Sequence, residues 1–308
     1  MSLKLLKQPQ FLIGSFIMGA MILISFTLHH FYSAPEQVPY LYKDGELVGV
    51  APFTPSQVPP FGTDRFGRNL LFLLFDGAKY TILIAFGIAI IRVAVSGIFS
   101  IFYNHYSKKL RPVFEDIFES TLFVPTSILA YILIAPLVFQ QVDSGKSFTE
   151  ILVIQCIILV LIGVPPLVST LSKDMSSIMK KEYISSTFTL GAKPGYVYRR
   201  HVLPEMASRF LLVVAQQIIS VLLLLAHLGV LLVFLGGGQT FTTGDIFNVS
   251  DVLVSMSGEW SGLIGSNYKE VMLKPHIVLI PLGFFGLTIF AMNLVINGIQ
   301  NSIKSERS

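Results

Sequence analysis

Charged residues are scarce in this sequence, and their scarcity excludes a water-soluble globular domain. Only 13% of the 308 residues are Asp, Glu, Lys or Arg, whereas 53% are hydrophobic and the mean hydropathy is +0.69. A soluble domain carries about 25% charged residues. The charges present here are too few to cover a surface that faces water, so most of the outer surface must face lipid.

Cysteine is almost absent as well, which excludes a disulfide framework. The single cysteine, Cys156, lies inside an apolar run, and no Cys or His spacing typical of a metal site occurs. The sequence contains no Gly-x-x-x-x-Gly-Lys-Ser/Thr loop, no His-Glu-x-x-His zinc motif and no Ser/His/Asp set. We therefore expect that this chain binds no cofactor or metal and is not an enzyme.

Apolar runs of membrane-spanning length are what the sequence has instead. They cover residues 11–28, 80–103, 117–139, 149–171, 209–235 and 275–297. A helix of about 20 apolar residues crosses the hydrocarbon core and satisfies its own backbone hydrogen bonds. We predict an all-α integral membrane protein with six transmembrane helices. The first run is predicted to be a retained span, because no clear signal-peptide cleavage site follows it.

The positions of the Lys and Arg residues predict the orientation. If the termini share one side, 14 of the 22 basic residues face that side, in segments 1–10, 104–116, 172–209 and 298–308. Basic residues are enriched on the cytoplasmic side, so we predict that both termini are cytoplasmic. The pI of about 9.0 does not indicate nucleic-acid binding, because the basic residues occupy short gaps between apolar runs.

Three loops are long enough to hold structure. The outer loop 29–79 contains Asp44-Gly45 between alternating apolar residues, which predicts a β-hairpin. The inner loop 172–208 mixes basic residues with short helical patterns, and the outer loop 236–274 begins with three glycines. We divide the chain into an N-terminal helix with its outer loop, a transmembrane domain and a tail, which cover residues 1–79, 80–300 and 301–308.

The inner loop contains the first of two motifs. It reads Glu182-Tyr183-Ile184-Ser185-Ser186-Thr187-Phe188-Thr189-Leu190-Gly191-Ala192, and nine residues later His201-Val202-Leu203-Pro204. A short amphipathic helix of this kind suits docking in a groove of a soluble partner. We expect Gly191 to permit a sharp exit from that helix and Pro204 to fix the start of the next span.

The second motif stands just before the second predicted span. It reads Phe61-Gly62-Thr63-Asp64-Arg65-Phe66-Gly67-Arg68-Asn69. Thr63 and Asp64 can cap a helix start, Gly67 allows close approach of another segment, and Arg68 can pair with a carboxylate. Taken alone, this stretch favours an ordinary loop cap. Its position before a span, together with the inner motif, favours a functional signature.

The two motifs together resemble those of ABC importer permeases. The inner motif is similar to the cytoplasmic coupling loop of that family. The outer one is similar to the Gly-Thr-Asp-x-x-Gly-Arg-Asp signature of the C-type permease of dipeptide, oligopeptide and nickel importers. The sequence departs from the family pattern where Ser185-Ser186-Thr187 replaces Glu-Ala-Ala and Asn69 replaces Asp. Weaker similarities are Phe234-Leu235-Gly236-Gly237-Gly238 after the fifth span and Trp260 with Gly262 before the last.

This resemblance implies the type I fold of ABC importer permeases and a role as one half of a peptide translocation pathway. It implies a second, related permease as heterodimer partner, one or two ATPase subunits that hold ATP and Mg²⁺, and an extracytoplasmic binding protein. The implied location is the plasma or inner membrane of a bacterium. The residues implied in coupling to the ATPase are Glu182, Ser185, Ser186, Thr187, Gly191, Ala192 and Pro204. The implied signature residues are Gly62, Thr63, Asp64, Gly67 and Arg68.

Polar side chains inside the predicted spans have two interpretations. They are Arg92, Gln216, Gln217 and His227. A charge such as Arg92 costs about 3 kcal/mol at the bilayer centre, so it either lines the passage or pairs with a neighbouring helix, and we favour pairing. The other three can line the passage or form interhelical hydrogen bonds. Helix kinks are predicted at Pro125, Pro136, Pro165 and Pro166.

Three alternatives stay open at this point. An importer for nickel or a metal chelate uses the same kind of permease, because the binding protein selects most of the substrate. A secondary transporter requires carboxylates or broken helices at mid-membrane, and no acidic residue lies centrally in a predicted span. An intramembrane enzyme or a sensor requires a catalytic pair or a soluble domain, and the sequence contains neither.

Overall fold

The structure is a computed structural model that describes residues 5–31, 35–106, 120–121, 123–139, 147–243 and 250–307. These residues form a helical bundle with two small antiparallel hairpins. Five of the described helices are long and apolar enough to cross a membrane, and a further apolar helix is shorter. The all-α membrane fold is therefore confirmed, with the hairpins as an addition.

The elements follow one another along the chain in a simple order. The N-terminal half contains α1 (Pro9–Phe31), β1 (Tyr40–Lys43), β2 (Glu46–Val50), α2 (Leu70–Tyr106), α3 (Thr126–Phe139) and α4 (Phe148–Met179). After it come α5 (Glu182–Thr189), α6 (Pro194–Val197), a π turn (Tyr198–Val202) and α7 (Leu203–Val230). The chain ends with β3 (Gly238–Thr243), β4 (Ser250–Ser255), α8 (Trp260–Asn267), a 3₁₀ turn (Tyr268–Met272) and α9 (His276–Arg307).

The third predicted span is the one for which the described residues form no helix of membrane-spanning length. Helix α3 has 14 residues, or about 21 Å, whereas the hydrocarbon core is about 30 Å thick. Residues 117–119 and 122 of that predicted span lie outside the described residues, as do residues 107–116 of the inner segment before it. Six spans therefore stay a prediction, and five are supported by length.

The ends of the other spans differ from the predicted limits. Helix α2 begins at Leu70, before the predicted limit at residue 80, and α4 continues to Met179, beyond the predicted limit at residue 171. Helix α7 ends at Val230, short of residue 235, because the chain turns at Leu232, whose φ is 61°. The domain boundary predicted at residue 79 falls inside α2 and stays a prediction.

Helix α2 is central in the bundle. It contacts α1, α4 and α7, while α1 packs along α9. Leu74 and Ile82 of α2 are fully buried, as is Val221 of α7, and Leu159 of α4 is 1% exposed. Burial of such side chains between helices, rather than helix amphipathicity, orders a bundle whose outer surface is itself apolar.

The prolines occupy two kinds of position. Pro136 lies inside α3, and Pro165 and Pro166 lie inside α4. Pro125 precedes α3, where its carbonyl accepts hydrogen bonds from the backbone N–H groups of residues 128 and 129. The kink predicted at Pro125 is therefore wrong, since this proline stands at the helix start, a position that tolerates its missing N–H.

Both hairpins lie in the predicted outer loops. Strands β1 and β2 pair antiparallel as predicted, and Asp44 and Gly45 between them have φ values of 55° and 87°. Positive φ at both positions is what a tight two-residue hairpin turn requires. The pairing of β3 with β4 was not predicted. Residues 244–249, which connect β3 and β4, lie outside the described residues.

Candidate functional site

The inner motif forms α5, a short helix that one side chain anchors to the bundle. Ile184 is fully buried among apolar side chains that include Met175 of α4, Val197 of α6 and Val202 of the π turn. The rest of α5 is largely exposed, namely Glu182, Tyr183, Ser185, Ser186 and Thr189, as are Leu190 and Gly191 beyond it. One buried side and a broad exposed side give this helix the form of a docking element.

Gly191 ends α5 in a left-handed conformation, as predicted. Its φ is 87°, its N–H donates to the carbonyl of Phe188 at 2.9 Å, and the N–H of Ala192 donates to the carbonyl of Thr187 at 3.2 Å. These two bonds form a Schellman motif, which glycine favours at this position. A Cβ at residue 191 would meet no heavy atom within 4 Å. The backbone conformation, not lack of space, therefore requires glycine.

Two of the three hydroxyl groups that replace the family's Glu-Ala-Ala bond to their own helix. Ser186 Oγ donates to the carbonyl of Glu182 at 3.0 Å, and Thr187 Oγ1 donates to the carbonyl of Tyr183 at 2.7 Å. These hydroxyls supply no negative charge to the exposed side of α5. The acidic group on this helix is Glu182, in its first turn, and it is exposed.

Glu205 holds the start of α5, and no local sequence pattern predicted this role. Tyr183 Oη donates to Glu205 Oε2 at 2.6 Å, and Lys181 Nζ forms an ion pair with Glu205 Oε1. The bond to Glu205, with smaller contributions from burial and from the charge of Glu205, raises the pKa of Tyr183 to about 12. Because Glu205 lies in the first turn of α7, it connects α5 to a membrane-spanning helix.

Pro204 lies in the first turn of α7, but α7 continues a helical segment that begins earlier. Helix α6 continues through the π turn into α7, so the continuous helical segment starts at Pro194. The N–H of Leu203 donates to the carbonyl of Tyr198, a wide i→i+5 bond directly before the proline. A π turn is a local departure from the α-helical bonding pattern, and proline cannot continue that pattern because it lacks an N–H. Pro204 itself occupies the first turn of α7, where proline is tolerated, and its role in fixing the start of the span stays a prediction.

Arg92 pairs with neighbouring helices, the interpretation that we favoured. The side chain is 3% exposed, its Nε donates to the carbonyl of Leu159 at 2.8 Å, and Nη1 donates to Gln217 Oε1 at 3.3 Å. A Cβ at Gly163 would lie 2.3 Å from Arg92 Nε, so this glycine leaves room for the guanidinium. Arg92 and the half-buried Gln217 thus join α2, α4 and α7.

Arg92 also begins a row of polar residues at four-residue spacing that the sequence analysis missed. Ser96 Oγ and Ser100 Oγ donate to carbonyl groups of α4 at 3.4 and 3.3 Å, and Asn104 Nδ2 donates to the carbonyl of Ser172 at 3.3 Å. Residues at this spacing lie on one helix face. The polar row therefore fastens α2 along α4, and its regular spacing was the available signal.

Gln216 and His227, in contrast, are exposed at the surface of this chain. They share one face of α7 with Ser220, Leu223 and Val230, which are also exposed and follow at intervals of three or four residues. We call these five residues the α7 face. Polar groups without partners in lipid cost free energy, so the α7 face is suited to contact with protein or water.

The outer motif folds around one buried carboxylate. Asp64 is completely buried, its Oδ1 accepts from the N–H groups of Phe66 and Arg68 at 3.0 and 2.9 Å, and its Oδ2 accepts from Arg68 Nε at 2.7 Å. The predicted pairing of Arg68 with a carboxylate is confirmed. The predicted cap is wrong, because Asn69 Oδ1 accepts from the N–H of Phe72 in the first turn of α2.

The remaining signature residues bring other backbone segments close. Thr63 Oγ1 accepts from the N–H of Phe53 at 3.0 Å. Gly62 and Gly67 have φ values of 78° and 77°, and a Cβ on either would lie 2.3 Å from a backbone carbonyl, that of Phe53 or that of Val38. The close approach predicted for Gly67 is confirmed. The signature is a compact segment of the outer loop that its own hydrogen bonds hold together.

Helix α8, in the second outer loop, is buried and carries the single tryptophan. Trp260 is fully buried, its Nε1 donates to the carbonyl of Leu74 at 2.7 Å, and its backbone N–H donates to Thr81 Oγ1 at 3.1 Å. Glu259 caps α8 by accepting from the N–H of Gly262 at 2.8 Å, and burial raises the pKa of this carboxyl group. These bonds tie the outer loop 236–274 to α2.

Gln155 is a further residue that the sequence analysis missed. Its Nε2 donates to the carbonyl of Phe234 at 2.9 Å, and its Oε1 accepts from the N–H of Gly236 at 2.7 Å. Gln155 lies inside α4 and is 2% exposed. It fixes the glycine-rich turn that follows α7.

The described residues form no candidate metal centre. Among the described residues, no group of three or more His, Cys, Asp or Glu side chains is arranged to hold a metal ion. The expectation that this chain binds no cofactor stays a prediction.

Comparison with known proteins gives one family and several relatives. Residues 94–305 match the family described as "Binding-protein-dependent transport system inner membrane component". The chain is 22% identical over 249 residues to the dipeptide transport system permease protein DppC of Alkalihalophilus pseudofirmus, covering 81% of this chain and 72% of the relative. It is 21% identical over 293 residues to the oligopeptide transport system permease protein OppC of Haemophilus influenzae, covering 92% and 83%. It is 21% identical over 244 residues to the glutathione transport system permease protein GsiD of Shigella dysenteriae, covering 79% and 71%.

Proposed function

We propose a function from the premise that this chain belongs to the family of inner membrane components of binding-protein-dependent transport systems. The chain is the transmembrane permease subunit of an ATP-driven importer for peptides. Its relatives bear names that refer to dipeptide, oligopeptide and glutathione transport. Those names favour a peptide substrate over nickel or a metal chelate.

The observation that carries this proposal is the α7 face. Gln216, Ser220 and His227 place polar groups on the outside of a membrane-spanning helix, which lipid does not satisfy. A second, related permease that packs here would enclose them in a shared passage. We propose Gln216 and His227 as pathway residues, with Gln217 and Arg92 holding α7 in place from behind.

Helix α5 is the proposed coupling element. Its exposed residues Glu182, Ser185 and Ser186 would contact the ATPase, while Thr187, Gly191 and Ala192 shape the helix and its exit. Pro204 would act at the start of α7. Because Glu205 links α5 to the first turn of α7, a displacement of α5 would be transmitted to the helix that carries the α7 face. ATP binding would thereby bias two arrangements of the passage.

The partners and location belong to the same proposal. They are a second permease in a heterodimer, one or two ATPase subunits that hold ATP and Mg²⁺, and an extracytoplasmic binding protein. Residues 80–300 would form the permease domain with its coupling loop 172–208, and both termini would be cytoplasmic. This chain would bind no cofactor and catalyse no reaction itself.

The experiment is purification of the tagged full-length chain from its native membrane in a mild detergent, followed by mass spectrometry of the proteins that copurify. We expect a second permease and one or two ATPases, and ATP hydrolysis that increases when the peptide-loaded binding protein is added. The binding protein encoded with these subunits then identifies the substrate.

A different outcome leads to a different class of protein. Recovery of the chain alone, or as a homo-oligomer without an ATPase, would contradict the importer proposal and support a secondary transporter or a sensor. The matched control is the same tag on an unrelated polytopic protein of that membrane, which must not recover the ATPases.

A further inference from the structure

A cavity of about 500 Å³ opens on the outer side of the chain, between the two outer loops. One wall comes from the segment before α2 and includes Pro52, Arg65 and Phe66. The other comes from the segment after α7 and includes Leu253, Tyr268 and Lys269. The cavity volume is within the range of about 300–1,000 Å³ that is typical of small-ligand sites.

The walls of this cavity are held by bonds outside it. The backbone on both sides of Arg65 is fixed, because Asp64 is buried and accepts from the N–H groups of Phe66 and Arg68. The ring of Phe66 packs against that of Phe241 in β3 at a centroid distance of 5.5 Å, which joins the two outer loops. The hydrogen-bonded signature segment therefore preorganises the cavity.

Arg65 is the residue in this cavity whose bonding is incomplete. Its Nε is buried, and no acceptor among the described residues lies within hydrogen-bonding distance of it. Burial lowers the pKa of Arg65, and the nearby carboxylates of Glu270 and Asp64 partly oppose this effect. The side chain as a whole is half-buried and lines the cavity, and a carboxylate is the group whose geometry a guanidinium matches.

The other lining residues indicate what is attached to that carboxylate. Lys269 adds a second positive charge, and Glu270 adds one negative charge. The apolar part of the lining includes Pro52 and Leu253. Positive and negative groups beside an apolar surface suit a short peptide, which has a carboxylate, an ammonium group and side chains within a small volume.

We propose that this cavity binds the carboxyl terminus of a short peptide, with Arg65 as the carboxylate ligand. The choice of peptide rests on the proposed function, whereas the carboxylate chemistry rests on the cavity. Leu232 lines the cavity and lies just after the end of α7. A bound peptide therefore lies at the outer end of α7, at the entrance to the proposed passage.

The test measures peptide binding to the complete permease–ATPase complex in lipid nanodiscs, without the binding protein. The probes are radiolabelled trileucine with a free carboxyl terminus and the same peptide as its terminal amide. A charge-assisted hydrogen bond contributes enough to make the free acid bind about tenfold tighter. Arg65→Gln should remove this preference, and Arg65→Lys should retain part of it. The matched control is Arg200→Gln, an exposed arginine at the inner end, which should leave the preference unchanged.

A second measurement locates the site without depending on a variant that folds. Trileucine with a photoreactive diazirine should crosslink to the residues around Leu253 and Tyr268 in the wild-type complex. Equal affinity for acid and amide, survival of the preference in Arg65→Gln, or crosslinks only elsewhere would each overturn the proposal.

Two further outcomes separate this inference from the proposed function. If ATP-dependent peptide uptake occurs but acid and amide bind equally, the inference fails and the importer function stands. If, after the binding protein is added, a photoreactive residue placed at position 253 crosslinks that protein and never the peptide, the cavity is a docking point for the binding protein and the inference is also overturned.

Discussion

The outer signature and the inner coupling motif are both similar to family motifs, yet the chain uses them in opposite ways. In the outer motif, Asp64 and Thr63 are buried and bond within the loop. In the inner motif, Ile184 is buried and most of α5 is exposed. The first motif builds a scaffold, and the second leaves a surface exposed, which we propose as a partner contact.

This difference shows that a recognisable motif does not by itself mark a contact site. Removing a buried ionic partner leaves an uncompensated charge, so a scaffold motif should respond to mutation by losing stability. An exposed motif contributes little to the fold of its own chain. Its mutation should instead change function in a chain that still folds. Three predictions, from the largest effect to the smallest, separate these two responses.

Asp64→Ala should have the largest effect, because it leaves the guanidinium of Arg68 and the N–H groups of Phe66 and Arg68 without their acceptor. The side chain of Arg68 is 26% exposed, so we expect a cost of about 3 kcal/mol, the lower end for loss of one partner of a buried ion pair. We expect little folded protein in the membrane and a much lower thermal denaturation temperature after purification. The matched control is Asp174→Ala, which removes the more exposed pair with Arg209 and should cost about 1 kcal/mol or less. Equal yield and equal melting of the two variants would contradict the scaffold role.

Gly191→Pro should abolish transport and leave membrane insertion intact. Proline fixes φ near −65°, whereas Gly191 has a φ of 87°, and the change also removes the N–H that donates to Phe188. The local cost is about 3 kcal/mol, confined to the exit of α5. Peptide uptake and the amount of protein in the membrane are the two measurements.

Two alanine variants sharpen this second prediction. Gly191→Ala should cause a partial loss, because space is available but the conformation is strained, and Gly195→Ala should behave as wild type because Gly195 has neither a positive φ nor a close neighbour. Normal uptake by Gly191→Pro would refute the coupling assignment.

Arg92→Leu should have the smallest effect of the three. It removes the hydrogen bonds to Leu159 and Gln217, and leaving Gln217 unsatisfied costs about 1–3 kcal/mol. We expect a lower melting temperature with reduced uptake. Gln216→Leu is the control from the α7 face, and it should change uptake without lowering the melting temperature. Unchanged expression and uptake of Arg92→Leu would show that this arginine matters little.

The sequence predicted most of the helices and one hairpin, because apolar length and turn chemistry are local signals. Gly45 and Gly191 were assigned correctly for that reason, since a positive φ depends on a few neighbouring residues. The contacts of Glu205 and Gln155 were not predicted. Each joins groups more than 20 residues apart, and no local pattern specifies such a pair.

The sequence by itself determined that this chain lies in a membrane and which segments carry family motifs. Too few charges and too many long apolar runs allow no other solvent. Only the tertiary structure decided which polar residues face inward. Arg92 and Gln216 both lie in apolar runs, yet one is buried between helices and the other is exposed. The rotation of each helix against its neighbours sets that difference, and when the outside is as apolar as the core, hydrophobic periodicity does not reveal the rotation.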